Sequence, residues 1–308
     1  MTTTTPTPHY DIVLKSDRII DPASGHDGPG QIGIVDGRIA AFGTELGAHT
    51  AGETVDAGGQ IVSPGLIDLH VHVYEWVTNF GLAPDDAGIH SGATTIVDQG
   101  SAGPWTVGGF KAYIADPAMT DVRSFVSANV AGALMGGMEG TVLHNPDMMR
   151  IDAIEAAHAD YPGLVKGIKS HGESGGYSHW ETEVLQMAVE AGNRTGLPLY
   201  VHTGELFPVD ENNRPQPELV MESVFPLLRP GDTVAHVYSC MPDGIMGPGD
   251  AVPETVIEAL SRGVHFDIGY GLNFSYRIAR AMMEAGVLPN TIGSDVHADF
   301  NAYHDDSK

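Results

Sequence analysis

The stretch PGLIDLHVHVY (Pro64–Tyr74) decides how the rest of the chain is interpreted. In it, an apolar, strand-forming run ends at His70 and His72, which lie two positions apart. Because alternate residues of a strand point to the same face, both imidazoles project to one side. Neutral imidazole is a good ligand for zinc and similar ions, so the pair is a candidate metal site. Taken alone, such a pair is more often a set of ordinary barrel-lining or surface histidines.

Downstream of this stretch, short apolar strands alternate with helical stretches, a pattern typical of βα units around a parallel sheet. Eight strands in this order predict an α/β fold, a (β/α)8 TIM-like barrel. The predicted strands are Leu66–Val73, Thr94–Asp98, Arg123–Asn129, Leu164–Ser170, Leu199–His202, Thr233–Val237, Val264–Ile268 and Thr291–Asp295. Helices are predicted at Glu181–Asn193, Pro253–Arg262 and Tyr276–Ala285. The last strand ends shortly before Lys308, so we expect a barrel that is open there or a C-terminal part that is missing.

Upstream of the stretch, residues 1–63 predict a small β unit, separate from the barrel at 64–308. Short strands are predicted in the segments DIVLK, Arg18–Ile20, QIGIV, RIAAFG and QIVSP. Asp36-Gly37 lies between two of them and is a strong hairpin signal, because both residues tolerate positive φ. We expect a small antiparallel sheet or part of a flanking β-sandwich.

Composition excludes several classes of protein. Forty acidic residues against fifteen basic ones give a formal charge of −25, which argues against nucleic acid and anionic membranes as partners. The chain contains no apolar run of the ~18 residues that a membrane span needs, and its start, MTTTTPTPHY, has no secretory signal pattern. A single cysteine, Cys240, excludes an internal disulfide framework and favours the cytoplasm.

Further polar residues stand where later strands end. Lys169, His202, His236 and Asp295 each follow an apolar run. In a barrel, the carboxyl ends of the strands share one rim, where active sites lie. The six side chains are therefore expected to meet. Lys166 competes with Lys169, but it points to the opposite strand face and lies too early in the strand.

The order His-x-His, Lys, His, His, Asp resembles the amidohydrolase superfamily in its two-metal form, and the dihydroorotase-related deacetylase branch in particular. The motifs that carry the resemblance are PGLIDLHVHVY (Pro64–Tyr74), GATTIVDQGSAG (Gly92–Gly103), GIK (Gly167–Lys169), LPLYVHTGE (Leu197–Glu205), RPGDTVAHVYS (Arg229–Ser239) and Phe266–Phe300. The resemblance implies a catalytic barrel flanked by a small β-sandwich, with C-terminal helices and strands that this sequence lacks.

The resemblance also implies roles for the residues that match. His70 and His72 would bind the more buried of two divalent metal ions, and His202 and His236 the more exposed one. Lys169 would bridge both ions as a carbamate derived from CO2. A hydroxide that bridges the metals would attack the substrate, with Asp295 as metal ligand and as general base and acid. Zinc is the expected metal, with manganese or iron(II) as alternatives.

The substrate is less well defined by the sequence. His171, His179, Tyr270 and Asn273 are candidate substrate-binding residues, and His171 stands where relatives often carry arginine. We expect hydrolysis of an amide, a cyclic amide or an acyl ester of a small molecule by a cytoplasmic homo-oligomer. The alternatives are a dihydroorotase-like cyclic amidase and a non-catalytic scaffold of the same fold.

Overall fold

The structure is a computed structural model that describes residues 7–134, 142–241, 244–246, 251–271 and 274–298. The chain divides into two compact units, residues 1–65 and 66–308. Within the described ranges, no helix combines the length and the apolar character that crossing a membrane requires.

The first unit is a five-stranded sheet in which the long strand β1 is central. The strands are β1 (His9–Asp21), β2 (His26–Val35), β3 (Arg38–Gly43), β4 (Thr50–Asp56) and β5 (Ile61–Val62). β1 pairs antiparallel with β2 and parallel with both β4 and β5, and β2 pairs antiparallel with β3. The sheet is therefore mixed, and the expectation of an antiparallel sheet was wrong. A flanking β-sandwich stays a prediction.

Two local features of this unit explain how it departs from the sequence interpretation. β1 covers two segments that the sequence predicts as separate strands, and its register shifts between Ser16 and Ile19. β4 was not predicted, because its sequence TAGETVD has no apolar run and is largely exposed. The hairpin prediction is confirmed: Asp36 and Gly37 have φ values of 51° and 70° and connect β2 to β3.

The second unit is built on a curled sheet of seven parallel strands in sequential order. They are β6 (Leu66–Val71), β7 (Ala93–Gln99), β8 (Asp121–Ser127), β9 (Val165–His171), β10 (Leu199–His202), β11 (Thr233–Val234) and β12 (His265–Phe266). The helices are α1 (Pro84–Ala87), α2 (Val107–Phe110), α3 (Ile151–Asp160), α4 (Ser174–Trp180), α5 (Glu183–Thr195), α6 (Pro217–Val224), α7 (Glu254–Ser261) and α8 (Tyr276–Glu284). Short 3-10 turns lie at Ile89–Ser91, Val142–His144, Pro146–Met148 and Phe225–Leu227, and a π turn at Lys111–Ala115.

The predicted eighth strand, Thr291–Asp295, is not a regular strand, yet its residues join the two ends of the sheet. Thr291 bridges in parallel to Asp267 beyond β12, and Val296 bridges in parallel to Val71 of β6. The Asp295 amide also donates to the His70 carbonyl at 2.7 Å. Asp295 has a φ of 55°, which interrupts the extended conformation that a strand needs. Among the described residues, the sheet is therefore barrel-like and is not open at this point.

The core of this unit lies between the sheet and its helices, as α5 illustrates. Val184, Leu185 and Ala188 recur on one face of α5 and are buried, as expected for an amphipathic helix that packs on a core. The helix ends at Gly196, whose φ of 73° gives the left-handed cap that glycine accepts most readily. Such helices hold the strands in place, and the strands in turn hold the polar residues at their carboxyl ends.

Candidate metal centre

The six residues that the sequence singled out come from five different segments at the carboxyl end of the sheet. His70 is in β6, with His72 just beyond it, and Lys169 is in β9. His202 is the last residue of β10, and His236 follows β11 by two residues. Asp295 lies in the segment that joins the ends of the sheet. All are buried except His72, which is partly buried.

Asp295 holds the first half of the site together. Its Oδ1 lies 3.1 Å from Nε2 of His70 and 3.4 Å from Nε2 of His72. Burial alone would raise the pKa of Asp295, but His70, His236 and His72 outweigh it and hold this pKa well below its usual range. Burial lowers the pKa of His70 well below its usual value. The site therefore combines an ionised carboxylate with neutral imidazole, which is the ligating form of histidine.

His236 and His202 form the second half. Nδ1 of His236 donates to the carbonyl of Gly269 at 2.8 Å, and Nε2 of His202 donates to the carbonyl of Gly204 at 3.2 Å. Burial lowers the pKa of both histidines, and neutral imidazole carries only one proton. The other nitrogens, His236 Nε2 and His202 Nδ1, must then carry lone pairs. These two nitrogens lie 2.9 Å apart.

Two lone pairs that face each other at this distance repel unless a positive charge lies beside both. The ligand atoms of His70, His236 and Asp295 also lie within 4.8 Å of one another. Imidazole nitrogens and a carboxylate are the donors that zinc and related divalent ions prefer. The donor set therefore fits a metal ion.

Lys169 reaches the same region from β9. Its Nζ is buried, has no hydrogen-bond partner among the described residues and lies 4.7 Å from the centre of the Tyr200 ring. Burial lowers the pKa of Lys169 to about 8, against the opposing effect of Asp295 and two other carboxylates. A buried ammonium without a partner is costly, whereas a neutral amine can react with CO2. Lys166, the competing lysine, is exposed, and its Nζ donates to the carbonyl of Pro162.

Backbone geometry at the site was not predicted from the sequence. His236 and Asp295 have φ values of 60° and 55°, in the left-handed region that non-glycine residues rarely adopt. Strain of this kind collects at functional sites. Two glycines make room for the ligands: a Cβ on Gly271 would overlap the Asp295 carboxylate, and one on Gly293 would lie 2.6 Å from Cβ of His70. These close contacts join segments that are far apart in the chain, so no local sequence pattern predicts them.

The candidate substrate residues are more dispersed. The His171 ring centre lies 5.6 Å from that of His202, so it borders the site. His179 is exposed on α4 beside Trp180. Tyr270 follows β12, and its amide donates to the carbonyl of Gly293 at 2.8 Å. Asn273 lies outside the described residues.

A buried contact between a histidine and a carboxylate beside His171 was also not predicted. His144 Nε2 lies 2.9 Å from Glu173 Oε1, and the His144 ring packs edge to face on His171. Glu173 also caps α4 by accepting from the amides of Gly175 and Gly176, each at 2.8 Å. Burial acts to raise the pKa of Glu173, but His144 and the two amides outweigh it, and the pKa is lowered. This contact fixes the chain where it leaves β9.

Comparisons with known proteins show which named proteins and solved structures this chain is similar to. It is 28% identical over 263 residues to a deacetylase of Agrobacterium fabrum and 30% identical over 269 residues to one of Brucella anthropi. In both cases the match covers 85% of this chain and 62% of the relative, so the chain spans less than two thirds of the length of either relative. A dihydroorotase structure matches with a TM-score of 0.74 and 27% identity, and an adenine deaminase structure with 0.77 and 25%. These matches cover 94% and 93% of this chain and 73% of each structure. No family model matches the chain.

Proposed function

We propose that the chain belongs to the amidohydrolase superfamily and is a metal-dependent hydrolase that cleaves an amide bond of a small molecule. The observation that carries the proposal is the cluster of buried ligand atoms: Nε2 of His236 and Nδ1 of His202 lie 2.9 Å apart, and ligand atoms of His70, His236 and Asp295 lie within 4.8 Å of one another. The deacetylase names of two relatives favour an acyl group as the part of the substrate that is removed.

The proposed metal ligands are His70, His72, His202, His236, Asp295 and a carbamate on Lys169. They would hold two divalent ions, with zinc expected and manganese or iron(II) as alternatives. When bound, such ions lower the pKa of water and polarise a substrate carbonyl. The low pKa values of the buried imidazoles keep their lone pairs available at neutral pH.

Asp295 is the proposed proton carrier. Its carboxylate is ionised, so it can accept a proton from the attacking water and pass it to the departing nitrogen of the amide. The backbone carbonyls of Gly269 and Gly204 hold the imidazoles of His236 and His202 in a fixed orientation. His171, at the border of the site, is the proposed contact with the substrate.

A second candidate function is the opening of a cyclic amide. The dihydroorotase among the similar structures favours it. The same residues serve both reactions, because in each a carbonyl carbon is attacked and a nitrogen leaves. An acyl ester would be cleaved by the same attack.

A metal analysis followed by a substrate panel tests the proposal. We expect close to two metal ions per chain after expression with zinc or manganese. We then expect hydrolysis within a panel of N-acetyl amino acids, acetylated hydroxy acids and cyclic imides. Fewer than one ion per chain would contradict the two-metal site and favour a non-catalytic scaffold.

The matched variants are His236→Asn and His265→Asn. His236 is buried at the site, whereas His265 is exposed on β12 of the same sheet. We expect the first variant to lose bound metal and the second to keep it. Equal metal content in the two variants would show that binding occurs elsewhere.

A further inference from the structure

Tyr200 lies under the metal centre without belonging to the predicted ligand set. It is in the middle of β10, is completely buried and precedes His202 by two residues, so both side chains point to the same face. Its hydroxyl lies between two groups: 3.0 Å from Nδ1 of His70 and 2.7 Å from Oδ2 of Asp267.

The direction of these two hydrogen bonds follows from the partners of Asp267. This buried residue accepts from the Tyr200 hydroxyl, from the amide of Gly269 at 2.7 Å and from the hydroxyl of Thr291. A carboxylate is only an acceptor, so the hydroxyl hydrogen of Tyr200 is directed to Asp267. The Tyr200 oxygen can then only accept from His70, which places the single proton of that imidazole on Nδ1.

We infer that Tyr200 is a positioning residue that, together with Asp267, fixes the tautomer of His70. With the proton on Nδ1, the lone pair of Nε2 points toward Asp295 Oδ1, 3.1 Å away, and is available to a metal ion. The opposite tautomer would place a hydrogen where the ion has to bind. This inference rests on the proposed metal site, whose cation would relieve the repulsion between this lone pair and the Asp295 carboxylate. The hydrogen bonds of Tyr200 and Asp267 favour the tautomer independently of the metal.

His70 differs in this respect from the two histidines on the other side of the site. His236 and His202 donate to backbone carbonyls, which no side-chain substitution removes. His70 depends on a side chain, and partners in this position tune the metal affinity of a ligand by about 10–100-fold. Tyr200 is therefore a place where the affinity of the site can be changed without altering a ligand.

The first experiment measures the tautomer in metal-free protein. Histidine labelled with 15N, followed by long-range proton–nitrogen correlation spectra, separates protonated from unprotonated ring nitrogens. We expect His70 to carry its proton on Nδ1 in the wild type and to populate the other tautomer in Tyr200→Phe. A proton on Nε2 in the wild type, or an unchanged His70 in the variant, would overturn the inference.

The second experiment measures zinc affinity by competition with a chelator. We expect Tyr200→Phe to bind zinc about 10–100-fold more weakly than the wild type. Asp267→Asn should weaken binding as well, because its amide group can donate and frees the hydroxyl of Tyr200 to turn toward His70. The control is Tyr238→Phe, which removes another buried hydroxyl, one that donates to the carbonyl of Val287.

The outcomes separate the two proposals. If Tyr200→Phe and Asp267→Asn bind zinc as tightly as Tyr238→Phe, the positioning role is wrong. If the wild type binds no zinc, the proposed function fails, while the tautomer of His70 still decides the role of Tyr200. Circular dichroism shows whether each variant is folded. Because Tyr200→Phe and Asp267→Asn disturb the same hydrogen bond, either variant tests the inference if the other does not fold.

Discussion

At the scale of single residues, Asp295 combines an ionised carboxylate with a left-handed backbone conformation. We expect Asp295→Asn to lower kcat/KM by at least about 100-fold, since general acid–base catalysis typically contributes 10²–10⁴-fold. The measurement is the rate on the best substrate of the panel, with the metal content determined in parallel. Activity within about tenfold of the wild type would remove Asp295 from the role of proton carrier.

Lys169 is the second residue whose chemistry is open to a direct test. Burial lowers its pKa to about 8, so the neutral amine that reacts with CO2 becomes more abundant between pH 6 and pH 8. We expect metal-stripped protein to take up zinc better with bicarbonate than without it, and faster at pH 8 than at pH 6. The measurement is bound zinc over time.

Two lysine variants provide the comparison. Lys169→Arg should not respond to bicarbonate, because guanidinium stays protonated. Lys166→Arg should respond as the wild type does, because Lys166 is exposed on the same strand. A bicarbonate effect that survives in Lys169→Arg would refute the carbamate.

The candidate site residues were easier to identify from the sequence than the residues that contact and support them. His202 and Asp295 stand out because each is a polar residue where an apolar run stops. Tyr200 and Asp267 do not stand out, because both lie inside predicted strands and their hydroxyl–carboxylate contact joins positions far apart in the chain. Gly293 is similar: its need for a small side chain arises only when His70 packs against it.

At the scale of secondary-structure elements, Glu173 connects the cap of α4 to His144. We expect Glu173→Gln to lower the free energy of unfolding by about 1–3 kcal/mol, because a buried acceptor is replaced by a donor. The pKa of Glu173 is lowered in the folded state, so its stabilisation is present above the unfolded value of about 4.3 and is lost as the pH falls through the folded value. The difference between variant and wild type should therefore shrink in acid.

Urea unfolding at a series of pH values measures this difference. The control is Glu190→Gln, which removes only an exposed pair with Arg194 on α5 and should have a much smaller effect at neutral pH. If the loss of unfolding free energy in Glu173→Gln does not depend on pH, the charge of Glu173 does not stabilise α4.

The lengths of the elements follow the burial of their residues. Leu199–His202 was predicted with its observed bounds, because all four residues are buried and turn signals surround them. β11 ends at Val234, earlier than predicted, because the chain leaves the extended conformation before His236, which has a φ of 60°. Apolar runs identify the strands, but the backbone leaves the strand conformation before the candidate ligand His236.

At the scale of the whole molecule, Asp68 links β6 to the segment that closes the sheet. Its Oδ1 accepts from the amide of Ser294 at 2.9 Å and from that of His70 at 3.1 Å. We expect Asp68→Ala to lower the free energy of unfolding by about 1–3 kcal/mol, because amides that are partly buried lose their acceptor. Urea unfolding measures the loss, and hydrogen exchange should show faster exchange of the Asp295 amide.

Asp56→Ala is the comparison for this prediction. Asp56 also accepts from a backbone amide, that of Gly58, but it is exposed and local to the first unit. If Asp68→Ala and Asp56→Ala have equal effects on hydrogen exchange at Asp295, the link to the closing segment is not what stabilises it.

The order of the strands was predictable for the whole molecule, but the way the sheet closes was not. Sequential parallel strands follow from alternating strand and helix patterns. In the described part of the chain, the closing segment pairs with the sheet through isolated bridges at Thr291 and Val296, so its apolar pattern suggested a regular strand that does not form. In the first unit, the parallel pairing of β4 with β1 depends on a polar strand that carries no signal of its own.

The closing segment has a consequence for the order of biosynthesis. A ribosome delivers the four histidines and Lys169 well before residues 291–296, which both join the sheet and supply Asp295. A nascent chain that ends before Thr291 therefore has most of the proposed ligands, but it lacks both the bridges that join the ends of the sheet and the proposed proton carrier. Emergence of these six residues from the exit tunnel would join the two ends of the sheet and add Asp295 at the same time, so closure of the sheet and the proposed activity would begin together.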